Sequence, residues 1–208
     1  MKEKLNQIIS EVIKPVLKQH GFGKKGMNFY KRIGDLIFLV NIQKSHGNTA
    51  DQTKFYMNCG IHSTDMDRVI GRSVLVEPKE YECYYKDRIS SIVHTVNDGY
   101  LISSDTDLQV LNSTISTDLT AVISLFDTIR KTSDLTDLMV DKSGLNHYQE
   151  LVEYFFLTNN QADTKRFVKN LHGTFGQERR WQIFEDNLSA LLIKNQRKET
   201  IQELLDKG

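Results

Sequence analysis

The side chains able to do chemistry are histidines, cysteines and paired aspartates, and their spacing argues against most of that chemistry. His20, His46, His62, His94, His147 and His172 never recur as H-x-x-x-H, and neither Cys59 nor Cys83 has a second cysteine two residues away. The spacing of a local zinc site is therefore missing, and no metal or cofactor is expected. Cys59 and His62 lie three apart on an extended run, so they point to opposite faces and cannot pair as thiolate and imidazole. Cys59 shares its face with Phe55 and Met57, the ordinary setting of a buried thiol. Asp65 and Asp67 in "STDMD", and Asp105 and Asp107 in "SSDTD", each stand where a helical pattern begins. Helix capping and first-turn charge explain them without catalysis.

Residues 20–32, "HGFGKKGMNFYKR", contain G-x-G-x-x-G at Gly21, Gly23 and Gly26. A dinucleotide cradle needs a strand before the glycines and a helix after them, so that free amides and the positive helix end meet phosphate. Here the order is reversed. Leu5, Ile8, Ile9, Val12, Ile13, Val16 and Leu17 form a helical stripe before the glycines, and alternating residues follow them. The stretch reads as a helix cap, a turn and a strand entry. Pro15 within the stripe predicts a kink or a restarted helix near Glu11 to Lys14.

Three strands are predicted next. "NFYKRI" and "LIFLVNIQ" flank Gly34-Asp35, a two-residue hairpin loop of the type II′ kind, and "KFYMNCGIH" follows at 54–62. Alternation gives each strand two faces. Phe29, Ile33, Phe38, Val40, Ile42, Phe55, Met57, Cys59 and Ile61 take the apolar one. Tyr30, Arg32, Asn41, Gln43, Tyr56, Asn58 and His62 take the other, with Lys44 and Ser45 at its exit. Amides, phenols and a guanidinium on one surface can hydrogen-bond a ligand or a partner, and the aromatics can stack bases. Solvation of an outer sheet face also accounts for polar and aromatic residues, but asparagine is disfavoured in mid-strand.

Beyond these strands, "TDMDRVIG" predicts a short helix capped by Thr64 or Asp65, and "VLVEPKEYECYY" and "IVHTVNDGYLI" predict further strands. From about Thr106, Leu108, Leu111, Ile115, Leu119, Val122, Ile123, Phe126 and Ile129 form a long helical stripe. Residues 132–144 read as a connector with one helical turn, and the remainder is helical. The expected fold is α+β: an antiparallel sheet of four to five strands with helices on one face over residues 1–131, then an all-helical appendage over 145–208.

The 208 residues are 39% hydrophobic and 26% charged, with zero formal net charge. Residues 1–48 hold nine Lys/Arg against three Asp/Glu, and residues 98–141 hold eight Asp against two Lys/Arg. Neutrality overall leaves little excess charge for a polyanion. No apolar run approaches the roughly 20 residues of a membrane span. The start of the chain carries no signal-peptide pattern, and two cysteines fit reduced thiols, so a cytoplasmic location is expected.

A helix ending in "HGFGKKGMNFYK", then "IFLVNIQKS", then "KFYMNCGIH" resembles, in order and spacing, a bacterial family known as domain of unknown function 4304. The resemblance runs from about Ile8 to Ile129, on Gly21, Phe22, Phe29, the "NIQKS" of 41–45 and Asn58. It implies a fold and no activity. The expectation is therefore a non-catalytic interaction protein that binds another protein through Tyr30, Arg32, Asn41, Gln43, Lys44, Tyr56, Asn58 and His62, or through the helical appendage. The alternative is an enzyme or nucleic-acid binder in which Arg32, Lys44 and His62 meet a phosphate on that face.

Overall fold

The computed structural model describes residues 2–95, 97–142 and 144–206. The chain gathers into two compact units. One runs to His62 and resumes over Val76–Lys131; the other comprises Ser63–Leu75 and the residues from Thr132 onward.

In the first unit the N-terminal stripe folds as α1 (Lys2–Ile8), a π-helical turn (Ile9–Ile13) and α2 (Lys14–Gln19). The predicted disturbance ahead of Pro15 is this widened turn, and Pro15 lies in the first turn of α2, where its missing N–H costs nothing. Gly21 takes φ +86°, and the amides of Gly21 and Phe22 close back onto Lys18 and Leu17. That is the left-handed helix stop the sequence called for. The remaining glycines of the G-x-G-x-x-G belong to a hairpin: β1 (Gly23–Lys25) turns through Gly26 and Met27 into β2 (Asn28–Ile33). A second tight loop at Gly34-Asp35, with φ +54° at Gly34, leads into β3 (Leu36–Lys44). β4 (Thr53–Ser63) completes the meander.

The next stretch departs from expectation. "VLVEPKEYECYY" was expected as a strand, yet only its end pairs, as β5 (Tyr85–Arg88). Ahead of it lies a strap of irregular chain with one 3-10 turn at Glu80–Glu82. Pro78 cannot donate to a ladder, so the strap crosses the sheet face instead of joining its edge. "IVHTVNDGYLI" is likewise a strand only at its end, as β6 (Tyr100–Ile102); its first residue closes the short helix α3 (Ile89–Ile92), and Val96 lies outside the described residues. The sheet has six antiparallel strands in the order β1-β2-β3-β4-β5, and β6 pairs with the first part of β4. α4 (Leu108–Thr128) then begins at Asp107, whose carboxylate accepts from the amides of Gln109 and Val110.

The core lies between the sheet and α4. Phe126 meets Phe38 at 5.1 Å and Phe22 at 6.3 Å between ring centroids, and Phe55 stacks on Tyr100 at 5.2 Å. Each such side chain contributes roughly 1.5–3 kcal/mol by leaving water. On the opposite face the strap comes close enough to exclude a side chain. A β-carbon on Gly60 would stand 2.7 Å from the Cys83 sulfur.

The second unit is helical. α5 (Thr64–Val69) is capped by the Ser63 hydroxyl, which accepts from the Met66 amide, not by Thr64 or Asp65 as the sequence suggested. α6 (Thr132–Lys142) occupies most of the span expected as a connector. α7 (Tyr148–Leu157), α8 (Gln161–Phe175), α9 (Trp181–Lys194) and α10 (Ile201–Leu205) follow. Their apolar stripes close over Leu135, Val140, Leu151, Phe155, Phe167, Leu171 and Leu188. Within this unit Glu150 receives a hydrogen bond from His147 at 3.2 Å and one from Arg72 at 3.1 Å. Among the described residues no helix is long and apolar enough to cross a membrane.

Two outcomes are expected. Gly60→Ala costs about 1–3 kcal/mol in urea unfolding, as overpacking does, and costs markedly less on a Cys83→Gly background, which removes both the sulfur and the β-carbon it would meet. Glu150 is held below its ordinary value of 4.5, first by the His147 hydrogen bond and also by the charges of His147 and Arg72. A depressed carboxylate contributes stability that is complete above the ordinary value and lost as pH falls through the lowered one. The stability difference between the parent and Glu150→Gln, followed by unfolding at successive pH values, should therefore shrink below pH 4.5.

Candidate functional site

Register decides which polar residues meet. Cα partners in an antiparallel ladder share a face, and β2 pairs Asn28 with Asn41, Tyr30 with Leu39 and Arg32 with Ile37. On the other side of the sheet's centre, Asn58 of β4 pairs with Arg88 of β5, and Gly60 with Lys86. Lys25 of β1 pairs with Asn28. Between β3 and β4 the link is made by side chains: Asn58 Nδ2 donates to Asn41 Oδ1 at 3.1 Å and to Gln43 Oε1 at 2.9 Å. Asn41 Nδ2 in turn donates to Asn28 Oδ1 at 2.6 Å. The result is one row of side chains running across five strands, Lys25, Asn28, Asn41, Asn58 and Arg88, with Gln43 beside its centre.

The ends of the row are cations that already have partners. Lys25 forms an ion pair with Glu77 of the strap, which raises the lysine's pKa, and Arg88 forms one with Asp98. The Arg88 guanidinium also lies 4.3 Å from the centroid of the Tyr56 ring, and the Lys54 ammonium 5.2 Å from it. Tyr56 thus has two cations against its ring, on the same face as Asn58.

The strap divides the predicted surface in two. In the covered half, Tyr30 donates its hydroxyl to the Pro78 carbonyl at 3.2 Å, and burial raises its phenol pKa. The Arg32 guanidinium donates to the Val76 carbonyl at 3.3 Å. His62 is only 1% exposed; its ring stacks on Tyr84 at 5.1 Å, and Nδ1 lies 3.1 Å from the Glu82 carbonyl oxygen. The open half holds Asn28, Asn41, Gln43, Tyr56 and Asn58. Asn58, at its centre, is 7% exposed.

The three residues suggested as a phosphate site are not brought together. Lys44 is exposed at the end of β3, seven residues from Ile37, the partner of Arg32. At about 3.3 Å per residue that separates Lys44 from Arg32 by roughly 23 Å. Alternation also turns Lys44 to the face opposite Asn41 and Gln43. His62 is packed under the strap, away from any anion that Lys44 could reach.

Nor do the two cysteines supply a nucleophile. Burial pushes the thiols of Cys59 and Cys83 well above their ordinary value, so neither is a thiolate at neutral pH. Among the described residues no three of His, Cys, Asp and Glu gather closely enough to hold a metal ion. What the open half can do is donate and accept neutral hydrogen bonds from a preorganised surface.

Sequence reasoning missed Asn28, Lys25 and Arg88. Asn28 has the same parity as Tyr30 and Arg32, so extending the alternation by one pair would have included it. Arg88 carried no such signal, because its strand was expected earlier in the chain.

Residues 13–127 match the family described as domain of unknown function (DUF4304), more than half of the chain, and the chain belongs to that family. No curated protein and no solved structure matches it. The matched stretch contains the whole amide row and the strap; the helices α6 to α10 follow it.

Asn58→Leu should cost about 1–3 kcal/mol in chemical unfolding, since it strands the oxygens of Asn41 and Gln43 that its amide satisfies. Asn58→Gln, which keeps the donors but displaces them, should cost less.

Proposed function

We propose that the open half of the polar sheet face binds another protein and that the chain has no catalytic chemistry there. The observation that carries this is the chained amides of Asn28, Asn41, Asn58 and Gln43, held in fixed orientation by one another. A mid-strand asparagine row is poor strand material, and its mutual hydrogen bonds preorganise a set of neutral donors and acceptors. Such groups complement the amides and hydroxyls of a protein surface. They offer little to phosphate, because the two cations that end the row are already neutralised by Glu77 and Asp98. Tyr56 adds a rigid aromatic edge to the patch, the kind of residue on which protein interfaces rely. Free, protonated thiols accord with a reducing compartment, and we place the protein in the cytoplasm on that ground.

The test is affinity capture from the native host with three forms of the full chain: the parent, Gln43→Glu on the sheet face, and Lys165→Glu on α8. Gln43→Glu keeps the acceptor that Asn58 uses, replaces the outward amide donor by an acceptor and adds a negative charge. The expected result is one stoichiometric protein partner whose affinity falls about tenfold with Gln43→Glu. Lys165→Glu should leave it unchanged. Loss of the partner with Lys165→Glu alone would move the interface to the helices. A shifted oligonucleotide at physiological salt, weakening steeply as salt rises, would replace the reading with nucleic-acid binding.

A further inference from the structure

A second recess opens at the edge of the sheet where α3 and β6 face the first half of α4, and it measures about 600 Å³. That size suits a compact organic molecule. One wall is a single helical stripe, Asp107, Val110, Leu111, Thr114 and Asp118, at spacings of three and four. The other wall includes Ile89, Tyr100 and Leu101. On the helical wall Val110 stands open to solvent at 63%.

Asp118 is the unusual member. It is 8% exposed, and its carboxylate accepts one hydrogen bond, from the Tyr100 hydroxyl at 2.6 Å. Among the described residues no cation reaches it. The lysine of the recess, Lys54, holds its ammonium against the Tyr56 ring. The nearby loop carboxylate, Asp98, is taken by Arg88. A carboxylate withdrawn from water without a cation is costly, and a ligand that brings one is rewarded. Asp107 in the same lining adds to the preference for positive charge and repels an anion. One buried carboxylate and a phenol are too few ligands for a metal ion.

We propose that this recess binds a small organic ammonium compound, its apolar body against Val110 and Leu111 and its N–H groups donating to Asp118. The recess lining and the amide row have no residue in common, although Asp98 of the lining holds Arg88 of the row.

The probe is phenethylamine, compared with 2-phenylethanol and phenylacetate, which replace the ammonium by a neutral and an anionic group on the same ring. Binding is followed by two-dimensional NMR on the full chain. The amine should shift resonances of Tyr100, Val110, Leu111 and Thr114. The alcohol should bind about tenfold more weakly, the acid more weakly still. Asp118→Asn, whose amide oxygen can still accept from Tyr100, should reduce amine affinity about tenfold and leave the alcohol unchanged. Equal binding of amine and alcohol, shifts confined to other residues, or unaltered amine affinity in Asp118→Asn would each overturn the proposal. If Asp118→Asn does not fold, Val110→Trp fills the recess from an exposed position. Amine binding should then be lost, and its retention would equally overturn the assignment.

Discussion

Strict alternation along β4 is the constraint on which the first unit rests. Its odd-numbered residues, Phe55, Met57, Cys59 and Ile61, are fully buried in the apolar core, and the even-numbered ones cannot follow them there. A strand of eleven residues that carries β3 along one edge and both β5 and β6 along the other has no freedom to slip. Sliding it by one position would bring Asn58 and His62 into the core and Phe55 and Met57 out of it. Everything on the polar face inherits its position from that choice: Tyr56 beside Arg88, Asn58 between Asn41 and Gln43, Gly60 under Cys83, His62 against Tyr84.

The parts of this that were legible in the sequence are those set by local periodicity. The faces of β2, β3 and β4 follow from alternation, and the helix stop at Gly21 follows from a glycine placed after a helical stripe. The strap was not legible. "VLVEPKEYECYY" has strand-like composition, and what keeps most of it out of the sheet is tertiary: a vacancy at Gly60 that admits Cys83, and carbonyls at Val76 and Pro78 that meet Arg32 and Tyr30. α6 was hidden differently. Its apolar residues are few, so its stripe does not stand out against Thr and Asp, although Leu135, Thr136, Met139 and Val140 are all buried. The cap at Ser63 was missed by one residue because three consecutive candidates, Ser63, Thr64 and Asp65, can each cap.

The strap also explains why residues of one parity behave differently. Arg32, Tyr30 and His62 share a face with Asn41, Gln43 and Tyr56, but each hydrogen-bonds the strap's backbone, Arg32 while still exposed. A carbonyl that accepts from a guanidinium or a phenol stabilises an irregular chain that has no ladder of its own. The covered residues therefore act as anchors for Val76 to Tyr84, and the amides left beyond the strap's edge form the exposed surface. The division of labour follows from where the strap lies and could not be read from residue types.

The loop before β6 joins the two surfaces. Asp98 lines the recess and holds Arg88 at the end of the amide row. Gly99, at φ +94°, lets the backbone lie where a side chain would strike Tyr56 Cδ1 at 2.6 Å. The Tyr56 ring thus has the Arg88 guanidinium near it, and a side chain at Gly99 would collide with it. A displacement of Asp98 would release the guanidinium that ends the row and free the ring beside it. Because Asp98 of the loop holds the guanidinium that lies over Tyr56, the loop's position and the charge at that end of the sheet face are one variable.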